Sequence, residues 1–236
     1  MIKHLTIGGK DLLDFGTYYD GSEWWRMPSR DIEEITVPGR SGNYIIDGDR
    51  YENITIPFNC GIRANFHRNF SGLVGYLLTL KGYQRIESSE EPNVFRVGYV
   101  SGRIEPDTGI LNRYGQFTIN INFKPQKWLK TGEATITVTD GMQISNPTGF
   151  KALPLILVEG TGTIQVGSVS ATLANNTGTT VIDCESMNAY EPIDNINRNP
   201  DLTLSGDTFP YLDAGTTGIS YTGFTSVKLI PKWWKL

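Results

Sequence analysis

The sequence predicts a mainly β protein with a single α-helix, arranged as two domains. Three observations support this class: short segments alternate apolar and polar residues along most of the chain, glycine (26) and proline (12) are abundant, and one segment alone has helical periodicity. Charged residues make up 19% of the 236 residues, below the roughly 25% typical of soluble domains. Few charges and many turn-forming residues are typical of short strands joined by turns.

Strand patterns dominate the first half of the chain. A short strand is predicted at Leu5 to Ile7, and a longer one at Tyr51 to Phe58. The longer strand carries Pro57, which favours a sheet edge or a strand end because proline cannot donate to a ladder. Residues 116–123 alternate without a fault, which predicts one face in a core and the other facing water or a polar partner. A further strand is predicted where apolar residues alternate with other types: Phe95, Arg96, Val97, Gly98 and Tyr99.

A double turn is predicted after the strand at Glu34 to Val37. Pro38-Gly39 is followed two residues later by Ser41-Gly42, and both pairs are typical of turns. Asp47-Gly48-Asp49 is also read as a hairpin turn, because it lacks the ligand spacing and the distal glutamate of a calcium loop.

The only helix is predicted between Ala64 and Leu80, with Gly82 just beyond its end. Its apolar residues fall at helical spacing, so we expect them to cover the open face of a sheet. Candidate core residues in this stripe are Phe70 and Leu77. The whole stripe is Phe66, Phe70, Leu73, Val74, Leu77 and Leu78.

A domain boundary is predicted where the proline- and lysine-rich segment from Lys124 to Gly132 interrupts the strand periodicity. This divides the chain into residues 1–130 and residues 131–236. Helical patterns are absent after the boundary, and six or seven short strands separated by turn residues predict an antiparallel β-sandwich.

Composition excludes several classes of function. The chain has 21 basic and 25 acidic side chains and a net charge of −4, which argues against a protein that grips nucleic acid but not against one past which DNA slides. No run approaches the roughly 18 apolar residues of a membrane span. The N-terminal residues lack the apolar segment of a secretory signal, so we expect neither a membrane protein nor a secreted one.

No constellation of residues indicates an enzyme, a metal site or a cofactor. Cys60 and Cys184 are expected to be small buried hydrophobes, with a disulfide or a reactive thiol as the alternative. The two histidines, His4 and His67, cannot complete a metal site. Residues 39–42 read as a turn because they miss the nucleophile-elbow pattern by one residue. The expected sets of catalytic, cofactor-binding and metal-binding residues are therefore empty.

Three further patterns lack the chemistry they suggest. Gly160-Thr161-Gly162 is read as a turn, since no third glycine or helix follows it. The adjacent pairs Glu33/Glu34 and Glu90/Glu91 would point to opposite faces of a strand, so neither can flank one glycosidic bond.

Five tryptophans lie at turn-rich or segment-end positions: Trp24, Trp25, Trp128, Trp233 and Trp234. Exposed tryptophans could form a platform that stacks on sugar rings. Alternatively, one member of each pair anchors a core while the other seals a contact between subunits, where tryptophan is enriched.

Three stretches of the sequence form a pattern together that none of them forms alone. The first runs from Ile35 to Gly42 and is followed, after an Asp/Gly turn, by Tyr51-Glu52-Asn53-Ile54. The second is the helix ending at Leu80, with the strands that close at Phe123-Lys124-Pro125. The third comprises C-terminal segments: Asn146-Pro147-Thr148, Pro154-Leu155-Ile156, Gly160-Thr161-Gly162, residues 206–212 and Ile230-Pro231-Lys232-Trp233. With these three stretches in this order, the sequence resembles the distal tail protein (Dit) family of siphophages that infect Gram-positive bacteria.

The resemblance implies a structural hub. The N-terminal domain would form a homohexameric ring around the tail channel, and the C-terminal domain would be a galectin-like or carbohydrate-binding-module-like sandwich. Implied partners are the major tail tube protein, a tail-associated fibre or lysin protein, and receptor-binding proteins or a cell-wall saccharide. DNA would pass through without specific binding, and the protein would lie in the virion after synthesis in the host cytoplasm. Assembly or core elements would be Pro38, Gly39, Arg40, Gly42, Phe70, Leu77 and Trp233.

A carbohydrate-binding module that contributes to host cell-wall adsorption is the alternative. The second half of the chain has brief turns and no long inserted loop, which favours scaffolding over sugar binding.

Overall fold

The computed structural model describes residues 2–110 and 113–236, and for residues 22, 108, 109 and 110 it describes the backbone alone. Within these residues the chain forms one α-helix, four 3-10 helices and twenty-one strands. The first compact unit runs to Lys127 and also includes Leu236, and the second runs from Trp128 to Lys235. The predicted mainly β class is confirmed.

The first unit is built on one antiparallel sheet whose strands run in the order β2-β1-β7-β8-β10-β6-β3, with β9 also paired to β10. A separate two-stranded sheet contains β4 and β5. The elements are β1 (Leu5–Ile7), β2 (Lys10–Asp11), a 3-10 helix (Leu12–Phe15), β3 (Thr17–Tyr19), a 3-10 helix (Ser22–Trp25), β4 (Arg30–Ile35), β5 (Tyr44–Tyr51), β6 (Ile54–Ile62), α1 (Phe66–Thr79), β7 (Gln84–Ser88), β8 (Val94–Val100), β9 (Pro106–Ile110) and β10 (Tyr114–Leu129).

The core of this unit lies between α1 and the sheet. Along β10 the alternating residues Phe117, Ile119, Ile121 and Phe123 are buried, as the faultless alternation predicts. The neighbouring β6 pairs with β10 in register from Gly115↔Ile62 to Phe123↔Ile54.

The predicted edge position of Pro57 is correct locally. Strand β6 has β10 on one side, whereas β3 pairs only with residues 60–62 on the other. Pro57 therefore lies in the part of β6 that has a single neighbouring strand among the described residues.

The predicted helix is confirmed, but its apolar stripe is narrower than the sequence suggested. Phe66, Leu73 and Leu77 are buried, whereas Leu78 is 79% exposed. At about 100° per residue, Leu78 lies about 120° around the axis from Phe66, outside the seam that meets the sheet. Leu78 is therefore a surface residue.

Three local predictions are wrong. Residues 47–49 lie inside β5 rather than in a turn. A β-bulge opposite Arg30 to Ile32 accommodates the positive φ of Asp49 within the strand. The segment after Lys124 continues β10 as far as Leu129 instead of interrupting it. The pair Glu90/Glu91 lies in the turn between β7 and β8 rather than on a strand.

The second unit is a β-sandwich, as predicted, with more strands than the sequence showed. One five-stranded sheet has the order β11-β20-β13-β16-β17, and the other has the order β12-β19-β14-β15-β18. The elements are a 3-10 helix (Lys130–Glu133), β11 (Ile136–Thr137), β12 (Met142–Asn146), β13 (Leu155–Glu159), β14 (Gly162–Val166), β15 (Val169–Leu173), β16 (Thr179–Asp183), β17 (Asn188–Tyr190), a 3-10 helix (Asn199–Asp201), β18 (Leu202–Leu204), β19 (Gly215–Thr222), β20 (Ser226–Ile230) and β21 (Trp234–Lys235).

The inner faces of the two sheets form one core that includes Ile156, Ile164 and Leu229. Gly160 and Thr161 form the predicted turn between β13 and β14, and Gly162 begins β14. A side chain at Gly162 would lie 2.3 Å from the carbonyl oxygen of Thr222, so this turn requires glycine.

None of the helices in the described part of the chain combines the length and apolarity needed to cross a bilayer.

Candidate assembly surface

The first unit carries a hairpin that pairs with no other strand of the described chain. We call this hairpin, residues 30–51, the arm. Its strands pair antiparallel from Arg30↔Tyr51 to Ile35↔Tyr44, and every residue from 32 through 50 is exposed. An isolated two-stranded hairpin is marginally stable in water at best. The arm therefore has the properties of a segment that becomes buried against something outside this chain.

Both faces of the arm carry large apolar side chains. Because side chains alternate along a strand, the register puts Glu33, Ile35, Tyr44 and Ile46 on one face, which we call face A. Face B contains Ile32, Glu34, Ile45 and Asp47. Tyr44, Ile45 and Ile46 are 54%, 56% and 45% exposed. A ribbon that is apolar on both sides fits between two surfaces better than on top of one.

Ion pairs tie the two strands together near the base of the arm. Arg30 Nε lies 2.6 Å from Asp47 Oδ2, and Arg50 Nε lies 2.5 Å from Asp31 Oδ2. The pKa of Asp47 is lowered by the backbone N–H of Asp49 and by Arg30. Exposed pairs of this kind add little to stability. They help to fix the register of the two strands, but they do not supply the stability that a hydrophobic core would give.

The tip of the arm contains the predicted double turn. Arg40 donates its backbone N–H to the carbonyl oxygen of Val37 at 3.2 Å. Gly39 and Gly42 have φ values of 78° and 87°, a region that favours glycine. Pro38, Gly39, Arg40 and Gly42 are all exposed, so the structure brings these four sequence-predicted residues together at the tip.

The other predicted residues lie elsewhere, in the two cores. Phe70 is half-buried and packs against the rings of Phe66 and Phe117, with centroids 5.2 and 5.0 Å away. Leu77 is buried in the first unit and Trp233 in the second. Their positions are those of packing residues.

Sequence reasoning missed the apolar residues of the arm. Tyr44, Ile45 and Ile46 stand directly between the double turn and the acidic residues that follow. The sequence pattern that could have revealed them is a run of three bulky apolar residues with charged residues before and after it.

A buried arginine holds the segment that leads into the arm. Arg96 on β8 is fully buried, so the face of β8 that points into the core carries an arginine. Its Nη2 donates to the carbonyl oxygens of Trp24 and Arg26 at 3.2 and 3.1 Å. Burial lowers the pKa of Arg96 to about 10, against an opposing effect of Glu91. The guanidinium remains charged at neutral pH and fixes the backbone four residues before the arm begins.

A second buried group fixes the same segment. Trp24 donates its indole N–H to Glu91 Oε2 at 2.9 Å, and Lys127 Nζ lies 3.1 Å from the same oxygen. Trp24 is fully buried, whereas the neighbouring Trp25 is 53% exposed. The base of the arm is thus anchored in the core of the first unit, while the arm itself is not.

The tryptophans of the second unit do not form an exposed platform. Trp128 and Trp233 are buried. Trp234 is half-buried, stacks on Phe150 with a centroid distance of 4.5 Å, and donates its indole N–H to the carbonyl oxygen of Lys151.

An open groove of about 1020 Å³ lies over the outward face of β6 and β10. It is lined by amides, hydroxyls and a few charges, among them Tyr18, Asn59, Thr118, Asn120, Arg103 and Asp107. Thr118 donates to Asn59 Oδ1 at 3.3 Å. This is the polar face that the alternation of residues 116–123 predicts.

Both cysteines are free and buried, as the sequence predicts. Burial raises the pKa of Cys60 and that of Cys184 to about 12, so both thiols stay protonated at neutral pH. Among the described residues, no group of three or more His, Cys, Asp or Glu side chains could hold a metal ion.

Solved structures share this fold over the whole chain. The Dit protein (gp 19.1) of SPP1, described as a paradigm of the hub adsorption apparatus in phages that infect Gram-positive bacteria, matches with a TM-score of 0.77, 16% identity and 100% coverage of both chains. The baseplate of phage P2 in its activated conformation matches with a TM-score of 0.56 with Ca and 0.55 with Sr, each at 9% identity and 97% coverage of both chains. The sequence matches neither a protein-family profile nor a curated protein. The resemblance to the distal tail protein family is therefore confirmed at the level of the fold.

Proposed function

We propose that this protein is a structural hub of a phage tail tip or baseplate and that it assembles as a homohexameric ring. The observation that carries the proposal is the arm: a hairpin exposed from residue 32 through residue 50, with apolar side chains on both faces and a base that is anchored in the core. The shared fold with the SPP1 Dit protein over the full chain supports the same role.

A closed ring suits the arm physically. One copy offers its arm to a different surface of the next copy, which is a heterologous contact, and heterologous contacts either close into rings or grow into open filaments. Closure would bury apolar hairpin side chains in every subunit, and exposed ribbons of this kind otherwise promote aggregation.

The ring would join the major tail tube protein to a tail-associated fibre or lysin protein and to receptor-binding proteins, and the protein would reside in the virion. DNA would pass through the channel without specific binding. The net charge of −4 supports this, because a channel with a surplus of lysine and arginine would retain DNA. The role is one of geometry, and no catalytic residue enters it.

The structure gives little support to carbohydrate binding by the second unit, the alternative function. A sugar platform needs exposed aromatic faces, but Trp128 and Trp233 are packed in the interior. We therefore favour the hub.

Light scattering on the purified protein tests the proposal. We expect a mass of six times 26.3 kDa. The arm can be removed cleanly, because Glu52 donates its backbone N–H to the carbonyl oxygen of Ser29 at 3.0 Å, so an Asn-Gly turn can replace residues 31–50. This variant should be a folded monomer.

The matched control is Ile193→Ser, which removes a side chain that is 82% exposed in the second unit. It should leave the mass unchanged. A wild-type protein that stays monomeric at high concentration, or an arm deletion that still forms the full assembly, contradicts the proposal.

A further inference from the structure

The outer face of α1 is a second surface that no other described part of the chain covers. Arg68, Ser71, Gly75 and Leu78 are exposed along it, and Lys81 lies just beyond its end. We call these five residues the helix face. Leu78 is 79% exposed, more than any other large apolar side chain described in the first unit. A side chain at Gly75 would meet nothing within 4 Å, so another backbone can approach the helix closely there.

The helix face and the arm are complementary in charge. From residue 53 to residue 86 the chain has four basic side chains and no acidic one. Arg68 and Lys81 form no ion pair within the described residues. The arm has five acidic side chains against three basic ones, for a net charge of −2. Oppositely charged patches steer association and fix register.

Face A offers the better match. Glu33 has no ion-pair partner within the described residues, whereas on face B Asp47 is paired with Arg30 and Glu34 accepts a hydrogen bond from Asn43. Face A also has three large apolar side chains, Ile35, Tyr44 and Ile46, where face B has two. Face A thus offers a carboxylate, that of Glu33, beside apolar side chains. The helix face offers the matching groups, two basic side chains and the apolar Leu78.

The arm and the helix face are both exposed in the folded chain, so a second copy is needed to cover either of them. We propose that face A of the arm docks on the helix face of a second copy, with Glu33 against Arg68 or Lys81 and with Tyr44 and Ile46 over Leu78. This inference rests on the proposed function, since it specifies the contact that closes the ring. Because arm and helix face are different surfaces, the contact is heterologous, as a ring requires.

Cross-linking between copies tests the docking. Chains carrying Ile46→Cys are mixed with chains carrying Leu78→Cys and treated with a short bis-maleimide, while the native cysteines are buried and remain unreactive. We expect a covalent dimer only in the mixture. The matched control is Ile45→Cys on face B, which should cross-link to Leu78→Cys at least ten-fold less. Equal cross-linking by both, or cross-linking of Ile46→Cys chains with one another, overturns the proposal.

Charge reversal provides the second readout. Glu33→Lys should weaken association at least ten-fold, and adding Arg68→Glu or Lys81→Glu to it should restore association. Glu34→Lys on face B is the control and should change association less than three-fold. A stable assembly that tolerates Glu33→Lys and shows no arm-to-helix cross-link refutes this contact but leaves the ring intact. A protein that never assembles refutes the ring itself.

Discussion

Replacing Arg96 should lower the free energy of unfolding of the first unit, by an amount that follows from the hydrogen bonds and the burial of this side chain. Arg96 is fully buried and donates from Nη2 to two carbonyl oxygens, those of Trp24 and Arg26. The substitution Arg96→Met keeps most of the buried volume and removes both hydrogen bonds, whereas Arg96→Ala also leaves a cavity. The two variants together separate hydrogen bonding from packing.

The magnitudes follow from opposing effects. Each hydrogen bond from a charged donor contributes about 1.5–3 kcal/mol, so Arg96→Met loses about 3–6 kcal/mol. Against this, the lowering of the pKa of Arg96 from 12.5 to about 10 means that burying the charge costs about 3 kcal/mol, which the methionine recovers. The expected net loss is about 1–2 kcal/mol. Arg96→Ala should lose about 2 kcal/mol more because of the cavity.

Hydrogen exchange measures these changes in the first unit alone. Slowly exchanging amides of β10 should exchange about ten-fold faster in Arg96→Met and a few hundred-fold faster in Arg96→Ala. Amides of β13 in the second unit should be unaffected, and Arg103→Met, which removes an exposed arginine, should change β10 by less than a factor of three. Unchanged exchange in both Arg96 variants would refute the reasoning, and so would equal exchange in the two.

Three further outcomes are expected. In the monomeric arm-deletion variant, Leu77→Asp should unfold the first unit, since it buries an unpaired carboxylate, while Leu78→Asp should leave the melting temperature unchanged; equal effects in thermal melts contradict the assigned helix stripe. Burial works against ionisation of Asp183, but Lys232 and nearby N–H groups hold its pKa below the usual value. The ionised Asp183 should therefore stabilise the second unit at pH 6, and this contribution should be lost as the pH falls through the lowered pKa. Thermal melts between pH 6 and pH 2.5 should therefore show a smaller acid effect in Asp183→Asn. Both cysteines should fail to react with a thiol reagent until the chain is unfolded, and rapid reaction in the native protein would show that they are accessible.

The fold is most predictable from the sequence where a strand or helix has the same surroundings along its whole length. Residues 116–123 alternate because one face of β10 meets the core throughout. The same reasoning misplaces Leu78, because apolar spacing alone does not show how wide a seam the sheet covers. It also cannot identify Arg96 as a core residue. What makes an arginine suitable there is a pair of carbonyl oxygens some seventy residues earlier in the chain.

The candidate surface was less accessible to sequence reasoning than the fold. The turn at Pro38 to Gly42 is a local feature and could be predicted from its glycines. That Tyr44, Ile45 and Ile46 stay exposed depends on the absence of a covering element in the described chain, and such an absence leaves no local pattern. Alternation in a hairpin is the same whether its partner is in the same chain or in the next one.

Single-particle imaging of the purified protein tests the central claim most directly. We expect a six-fold ring with an open centre, in which the hairpin formed by residues 30–51 of every subunit lies against the neighbouring subunit. Particles with hairpins that remain free in solvent, or particles of any other symmetry, would contradict it.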